Sequence, residues 1–312
     1  MNVKEWLDLA KKQIDSLDAE LIALKVFAPL YADRSWLVAH GDKKVAKLCE
    51  RADKMLQKRK LGTPLAYILG EKEFYGRSFQ VQPGVLIPRP ETEGLIEIIK
   101  SLDLPKQADF LEIGTGSGCI AITLALEHPQ AHVVASDIST RALSVAERNN
   151  IQHEGRVELV QSNLLKDFEF IAYPEHFDVV VANLPYVNRE WGWVDQKNLS
   201  FEPNTALYAR GNNGLSIYQR FIKELNYYGG PEGLWLDYLV LEADPCQHAQ
   251  LIKIAEKAGF IHLRTEGFGL LFEDKWRYWY DYHDNTYAHK PQNVLEYELK
   301  SGIISWSAEE VR

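Results

Sequence analysis

The residues with the clearest capacity for chemistry are Asn183, Leu184, Pro185 and Tyr186, which directly follow the apolar run Phe-Asp-Val-Val-Val-Ala at 177–182. The side-chain oxygen of Asn183 and the backbone carbonyl of Leu184 can accept the two hydrogens of one planar NH2 group. Pro185 fixes its own φ angle, and Tyr186 can stack on a flat substrate. This Asn-Leu-Pro-Tyr turn therefore predicts a site that holds a planar nitrogen. All four residues are candidate substrate contacts, and Asn183, Pro185 and Tyr186 are the catalytic candidates.

The reaction expected at such a site is the transfer of a methyl group to the nitrogen. An amide nitrogen is a weak nucleophile, because its lone pair is delocalised. Orientation at the methyl carbon and a matched electrostatic environment must therefore supply most of the catalysis. A strong base is not needed, since an N-methylated amide cation loses its proton readily. The turn does not distinguish a side-chain amide from the amino group of adenine, so both substrates stay open here.

A second chemical feature is the glycine loop Leu-Glu-Ile-Gly-Thr-Gly-Ser-Gly at 111–118, between a predicted strand and a predicted helix. Glycines let the backbone turn tightly and approach a ligand. Asp137 ends the next predicted strand, where its carboxylate can bind ribose hydroxyls. The G-x-G-x-G spacing differs from the dinucleotide pattern, and Glu112 would disfavour a pyrophosphate. These carboxylates favour a ligand with an adenosine and a cationic centre, which predicts S-adenosylmethionine as the cofactor.

The elements around these residues predict an α/β fold. From residue 109 onward, short apolar strands alternate with helical segments, which indicates a mostly parallel sheet with both faces covered. Residues 1–72 carry apolar positions at three- and four-residue spacing and predict an all-α domain. Residues 73–90 predict a hairpin linker at the start of a catalytic domain over 73–274. The last segment, 275–312, is an aromatic-rich C-terminal extension.

The composition limits the class of protein. The chain has 312 residues, of which 46% are hydrophobic, so it can bury a sizeable core. A formal net charge of −9 argues against stable nucleic-acid binding. The 3 cysteines form no Cys-x-x-Cys pair, which argues against a structural metal site. No apolar run reaches membrane-spanning length and no signal-peptide pattern is present, so we expect a cytoplasmic protein without membrane contacts.

Several segments occur in a characteristic order along the chain. The most diagnostic runs from Gly-Thr-Pro-Leu-Ala-Tyr to Pro-Arg-Pro-Glu-Thr-Glu at 62–93. The glycine loop and the Asn-Leu-Pro-Tyr turn follow, and then Phe-Glu-Pro-Asn-Thr-Ala-Leu at 201–207 and Gly-Asn-Asn-Gly-Leu at 211–215. In these segments the sequence resembles the release-factor glutamine methyltransferases, the HemK/PrmC family, over roughly residues 1–265.

The resemblance implies methylation of the glutamine side-chain amide (N5) in the Gly-Gly-Gln motif of a peptide chain release factor. It also implies a Rossmann-like, seven-stranded class I methyltransferase sheet and an N-terminal all-α domain that helps to bind the release factor. The cofactor contacts carried over are Glu112, Gly114, Thr115, Gly116, Ser117, Gly118, Asp137, Asn163, Leu164 and Asn183. The substrate contacts carried over are Asn183, Leu184, Pro185 and Tyr186, with Arg89, Pro90 and Glu91 at the entrance.

Three departures from the family pattern keep alternatives open. Leu184 replaces the first proline of Asn-Pro-Pro-Tyr, as in ribosomal-RNA adenine dimethyltransferases, and the required carbonyl survives. Asn163 replaces an acid near the adenine, whose amino group its oxygen can still bind, and Leu164 stands where an aromatic residue is common. The segment ending at Asp244 reads Leu-Glu-Ala-Asp rather than Leu-Glu-Ile-Gly. The alternatives are an N6-adenine methyltransferase acting on RNA or DNA, and a binding module without catalysis.

Overall fold

The structure, a computed structural model, describes residues 1–30, 32–168, 176–192, 199–209, 211, 213–228 and 234–275. Apart from Lys275, the predicted C-terminal extension lies outside the described residues.

The N-terminal part of the chain is helical, as predicted. Its helices are α1 (Val3–Ala10), α2 (Ser16–Phe27), α3 (Arg34–Ala39), α4 (Ala46–Lys60) and α5 (Leu65–Leu69). The side chains of Asn2 and Asp15 cap α1 and α2 by accepting hydrogen bonds from backbone N–H groups of the first turn. The apolar faces meet in one core around Trp6 and Ile22. The boundary of this helical domain at residue 72 stays a prediction.

An antiparallel hairpin of β1 (Glu71–Phe74) and β2 (Arg77–Gln80) follows the helices. The sequence predicts the change from helix to strand at residue 73, and the hairpin begins slightly earlier. The reason is that Gly70 ends α5 in a left-handed conformation (φ 79°). Phe74 and Phe79 are fully buried against the main sheet and against α6 (Glu93–Lys100). The hairpin is therefore attached to the catalytic sheet. A 3₁₀ turn over Pro90–Thr92 leads into α6.

The main sheet has seven strands among the described residues. They are β3 (Asp109–Ile113), β4 (His132–Asp137), β5 (Val157–Gln161), β6 (His176–Ala182), β7 (Trp235–Glu242), β8 (Phe260–Glu266) and β9 (Gly269–Asp274), in the spatial order β5-β4-β3-β6-β7-β9-β8. β3 to β7 pair in parallel, which confirms the predicted fold class. The expected alternation of strand and helix stops at β8, because a turn at Gly267 joins β8 to the antiparallel β9.

Helices cover both faces of this sheet. They are α6, α7 (Cys119–Glu127), α8 (Thr140–Gln152), α9 (Asn204–Leu207), α10 (Ser216–Tyr228) and α11 (His248–Lys257). Successive residues of one strand, such as Val179 and Val180, enter different apolar clusters on opposite faces. The continuous apolar runs of the sequence are therefore strands buried on both sides. No helix in the described ranges is long and apolar enough to cross a membrane.

The strand order creates a crevice at the carboxyl edge of the sheet. The chain runs outward from β3 to β5 and then returns to β6 on the other side of β3. Connections leave β3 and β6 in opposite directions, which opens the place where ligands of such sheets bind. The glycine loop follows β3, Asp137 ends β4, Asn163 follows β5, and Asn183 follows β6. The topology thus brings these four features to one edge.

Candidate active site

A cavity of ≈ 560 Å³ lies at this edge. Its wall contains most of the predicted site residues: Arg89, Glu112, Gly114, Thr115, Gly116, Ser117, Asp137, Asn163, Leu164, Asn183, Leu184 and Pro185. Four predicted residues, Pro90, Glu91, Gly118 and Tyr186, are not part of the wall. All predicted cofactor residues except Gly118, and four of the seven predicted substrate residues, therefore share one cavity.

The glycine loop is shaped by three left-handed residues, with φ angles of 82°, 59° and 83° at Gly114, Gly116 and Gly118. A Cβ atom on Gly116 would meet nothing within 4 Å, so the loop is open on the side of a ligand. A Cβ on Gly118 would lie 2.8 Å from Ile122 and 3.2 Å from Ala146. Gly118 therefore allows α7 and α8 to approach each other, rather than lining the cavity.

Glu112 lies beneath the glycine loop, almost fully buried. Its Oε2 accepts hydrogen bonds from the Thr115 hydroxyl (2.6 Å) and the Ala121 N–H (3.0 Å). Burial raises the pKa of Glu112 to about 7, although these two bonds act in the opposite direction. The carboxyl group thus braces the loop and adds an acidic group to the cavity wall.

Asp137 presents a fixed carboxylate at the end of β4. Its Oδ2 accepts from the Gly116 N–H (2.9 Å), and its Oδ1 accepts from the Ser139 N–H (2.8 Å). Burial raises the pKa of Asp137, and these backbone bonds counteract the rise. Each oxygen keeps a further lone pair for a hydroxyl donor. The geometry suits the predicted contact with a ribose.

Asn163 is held by a residue that the sequence did not single out. The guanidinium of Arg220 donates to the side-chain oxygen of Asn163 (2.7 Å) and to its backbone carbonyl (3.1 Å). The oxygen predicted to bind the adenine amino group therefore already has a donor. Arg220 also lines the cavity, beside Leu164, which has a left-handed backbone (φ 56°). A cation thus stands at the predicted adenine end.

The Asn-Leu-Pro-Tyr turn is held by hydrogen bonds from several elements. The Nδ2 group of Asn183 donates to the hydroxyl of Thr92 (3.1 Å). The Leu184 N–H donates to the hydroxyl of Tyr218 (3.0 Å), and the Tyr186 hydroxyl donates to Oε1 of Glu242 (3.0 Å). Oδ1 of Asn183 accepts no hydrogen bond from the described residues, so it is available to a substrate.

The side chain of Leu184 connects the two halves of the site. It is only 4% exposed and belongs to the apolar core around β6 and α10. A Cβ on Gly114 would lie 3.0 Å from its Cδ2 atom, so the glycine loop rests directly against it. The residue that departs from the family pattern is therefore a packing contact between the loop and the turn.

The loop from 85 to 92 is fixed by Glu202, in the segment 201–207. Glu202 accepts from the Ile87 N–H (3.0 Å) and forms an ion pair with the Arg89 guanidinium (2.5 Å). The Glu202 side chain is buried, whereas Arg89 is one-third exposed. This pair holds Arg89 in the cavity wall, at the predicted entrance.

The carbonyl of Tyr186 is fixed from the other side by Gln247 and the segment 211–215. Gln247 donates through Nε2 to the carbonyl oxygens of Tyr186 (2.9 Å) and Asn213 (2.7 Å). A Cβ on Gly214 would lie 2.2 Å from the Tyr186 carbonyl oxygen. Only glycine permits this approach, which gives a physical role to that glycine in the Gly-Asn-Asn-Gly-Leu segment.

The sequence did not identify five residues of the site: Thr92, Tyr218, Arg220, Glu242 and Gln247. Thr92 could have been identified, because it lies in the diagnostic segment 62–93 beside the predicted entrance residues. Glu242 ends β7, the parallel neighbour of β6, so its strand-end position was a usable signal. The other three come from helical segments, and their contacts leave no local sequence pattern.

The sheet order, the glycine loop with Asp137, and the Asn-Leu-Pro-Tyr turn on one cavity together define a Rossmann-like class I methyltransferase that uses S-adenosylmethionine. A family profile described as "Methyltransferase small domain" matches residues 90–195. A second profile, described as "PrmC N-terminal domain", matches residues 5–70.

Curated relatives carry the assignment further. A "Release factor glutamine methyltransferase" from Neisseria gonorrhoeae is 40% identical over 83% of this chain and 91% of its own length. A protein of the same name from Koribacter versatilis is 38% identical over 76% and 85%, and one from Staphylococcus aureus is 32% identical over 81% and 95%. The chain belongs to the release factor glutamine methyltransferase family.

Proposed function

We propose that this enzyme transfers a methyl group from S-adenosylmethionine to the side-chain amide nitrogen of the glutamine in the Gly-Gly-Gln motif of a peptide chain release factor. The names of the relatives supply the substrate class. The observation that carries the proposal is the Asn183 amide, whose Nδ2 is bound to Thr92 while its Oδ1 stays available in the cavity. An available acceptor beside the Leu184 carbonyl is what a planar NH2 group requires.

The residues of the cavity fit the cofactor. Gly116 leaves the loop open, Asp137 offers a fixed carboxylate for the ribose, and Glu112 and Asp137 make this wall acidic. S-adenosylmethionine supplies an electrophilic methyl group on a sulfonium centre. An acidic wall suits a cationic ligand.

The chain's own residues then orient the substrate. Asn183 Oδ1 and the Leu184 carbonyl accept the two amide hydrogens, which aims the nitrogen at the methyl carbon. Tyr186 lies in the same turn and is oriented by Glu242. The bound cofactor would supply the methyl group as its bond to sulfur breaks. The two acceptors would keep the nitrogen aimed at that group until one amide proton leaves to solvent. Positioning supplies most of the rate, because the nucleophile is weak.

The remaining assignments belong to the same proposal. The helical segment 1–72 assists docking of the release factor, residues 73–274 carry the chemistry, and 275–312 is an extension of unassigned role. The chain works in the cytoplasm, and its net charge of −9 disfavours stable binding to nucleic acid.

The test is methylation of a purified release factor, with the product peptide sequenced by mass spectrometry. We expect a gain of one methyl group on the glutamine of the Gly-Gly-Gln motif, and no gain when that glutamine is replaced by asparagine, whose amide falls short of the turn. RNA and DNA oligonucleotides form the comparison arm. Preferred transfer to adenine would reject the protein substrate in favour of the nucleic-acid alternative.

A further inference from the structure

The carboxyl group of Glu242 lies behind the Asn-Leu-Pro-Tyr turn, and the function proposed above uses it only to orient Tyr186. The residue is 1% exposed. Its Oε1 accepts from the Tyr186 hydroxyl, and its backbone carbonyl accepts from the Tyr218 hydroxyl. Its Oε2 is buried and has no hydrogen-bond partner among the described residues. Thr92 and Asn183 face the same carboxyl group closely enough to favour its ionised form.

The largest influences on the charge of Glu242 include no cation. The titratable groups that face it, or that face its partner Tyr186, are Glu91 on the 3₁₀ turn, Cys119 on α7, Tyr186 and Tyr218, and Asp244 after β7. When the group is ionised, the unpaired Oε2 acts on the polar hydrogens near the carboxyl group. Besides the Tyr186 hydroxyl, those belong to Thr92 and Asn183.

An asparagine amide can present either its oxygen or its NH2 group to a substrate, and its surroundings decide which. The Thr92 hydroxyl alone does not decide, because a hydroxyl can both donate and accept. An ionised carboxylate only accepts. An ionised carboxylate near these groups would favour the orientation in which the Thr92 hydroxyl hydrogen and the Asn183 NH2 group face it, and it would disfavour the Asn183 oxygen there.

We propose that Glu242 is a positioning residue that acts with Thr92 to select the Asn183 orientation in which Oδ1 faces the substrate amide. The proposal rests on the proposed function, in which that oxygen accepts a hydrogen of the substrate NH2 group. In the opposite orientation, the NH2 group of Asn183 would face the NH2 group of the substrate amide, and both are donors. The substrate nitrogen would then lose one of its two acceptors.

The first test replaces Glu242 by glutamine, which keeps the shape but offers both a donor and an acceptor. Losing one positioned group at a reacting centre costs on the order of 10²–10³ in rate. Since Glu242→Gln weakens the orientation without removing Asn183, we expect single-turnover methyl transfer to fall by about 10- to 100-fold at saturating cofactor. Cofactor affinity measured by calorimetry should stay within about threefold of wild type.

Thr92 provides a matched pair of variants. Thr92→Ser keeps the hydroxyl and should retain most of the single-turnover rate. Thr92→Val keeps the shape of the side chain but removes the acceptor for Asn183. Its rate should therefore fall about as much as that of Glu242→Gln. Equal rates for the two Thr92 variants would overturn the proposal. So would a wild-type rate for Glu242→Gln.

The pH profile separates orientation from simple structural support. Burial raises the pKa of Glu242 to about 7. Below that pH the group becomes a neutral acid that can donate as well as accept, and the preference for one Asn183 orientation is lost. We therefore expect the wild-type single-turnover rate to fall as the pH drops below about 7, and the Glu242→Gln rate to be low and flat.

Glu112→Gln is the control for this profile, because burial also raises the pKa of Glu112 to about 7. The inflection should persist in Glu112→Gln and vanish in Glu242→Gln. The reverse pattern would assign the inflection to Glu112 and overturn the proposal.

A measurement without substrate keeps the inference separate from the proposed function. The side-chain NH2 signals of Asn183, assigned by their loss in Asn183→Ala, should shift with a midpoint near pH 7 in wild type and not in Glu242→Gln. If wild type methylates no release factor but this titration is seen, the substrate assignment fails and the orienting role stands. If the Asn183 signals of Glu242→Gln match those of wild type at every pH, the orienting role fails.

Discussion

Asn183 and Leu184 are adjacent in the chain, yet their truncation should damage different properties of the enzyme. Asn183 places its side chain in the cavity and bonds Thr92, whereas Leu184 buries its side chain under the glycine loop. Replacing each residue by alanine therefore separates chemistry from packing within one turn.

The magnitude for Leu184→Ala follows from its burial. The side chain is 4% exposed. The substitution removes about three carbon groups at roughly 0.8 kcal/mol each. With a cavity contribution, we expect the free energy of unfolding to fall by about 3 kcal/mol. The Leu184 carbonyl is retained, so single-turnover methyl transfer should fall by less than about tenfold at temperatures where the protein stays folded.

Asn183→Ala should show the opposite balance. It removes one hydrogen bond, to Thr92, and should lower the free energy of unfolding by only about 1 kcal/mol. The substrate nitrogen loses its side-chain acceptor, so the rate should fall by about 10²–10³.

Denaturant unfolding and single-turnover transfer to a release factor measure the two quantities on the same preparations. The reasoning is refuted if Leu184→Ala unfolds with the free energy of wild type, because Leu184 would then not support the loop. It is equally refuted if Asn183→Ala transfers methyl groups at near-normal rates.

Three further predictions follow from the geometry of the site. Asp137→Ala should weaken S-adenosylmethionine binding, measured by calorimetry, by at least about tenfold, because it removes a carboxylate that also bonds the glycine loop. Equal affinities would show that Asp137 does not contact the cofactor. In a double-mutant cycle, Tyr218→Phe should cost about 1–3 kcal/mol of unfolding free energy, since the Leu184 N–H loses its acceptor. In a Leu184→Pro background, which has no N–H at this position, Tyr218→Phe should cost measurably less unfolding free energy. If the effects of the two substitutions are additive, the bond from the Leu184 N–H to the Tyr218 hydroxyl does not contribute. Arg89→Ala should lower the free energy of unfolding by about 3 kcal/mol, because it leaves the buried Glu202 carboxylate without its cation. An additional Glu202→Gln change should recover part of this loss. If it recovers none, the ion pair does not hold the entrance loop.

Much of the fold could be predicted, because it depends on local periodicity. Continuous apolar runs such as 177–182 are strands buried on both faces, and a parallel sheet needs helical crossovers between them. The glycine loop, Asp137 and Asn183 could be assigned to one site for a related reason: each follows or ends a strand, and parallel strands finish at the same edge. The antiparallel β8–β9 pair escaped prediction because two strands joined by a short turn look locally like any other apolar segments.

What only the tertiary structure decided is how the site is held. Thr92, Tyr218 and Glu242 are far apart in the chain. They meet around the Asn-Leu-Pro-Tyr turn only in the folded protein. Nor does the sequence show that Gly118 serves helix packing.

By itself, the sequence determined which groups are candidates for the chemistry and at which strand ends they stand, because residue type and turn position are local properties. The tertiary structure decided which way those groups point: the Asn183 amide against Thr92, the Asn163 oxygen against Arg220, and the Leu184 side chain under the glycine loop. The orientation of a side chain depends on hydrogen bonds and contacts with distant elements, and such contacts have no period that a sequence can display.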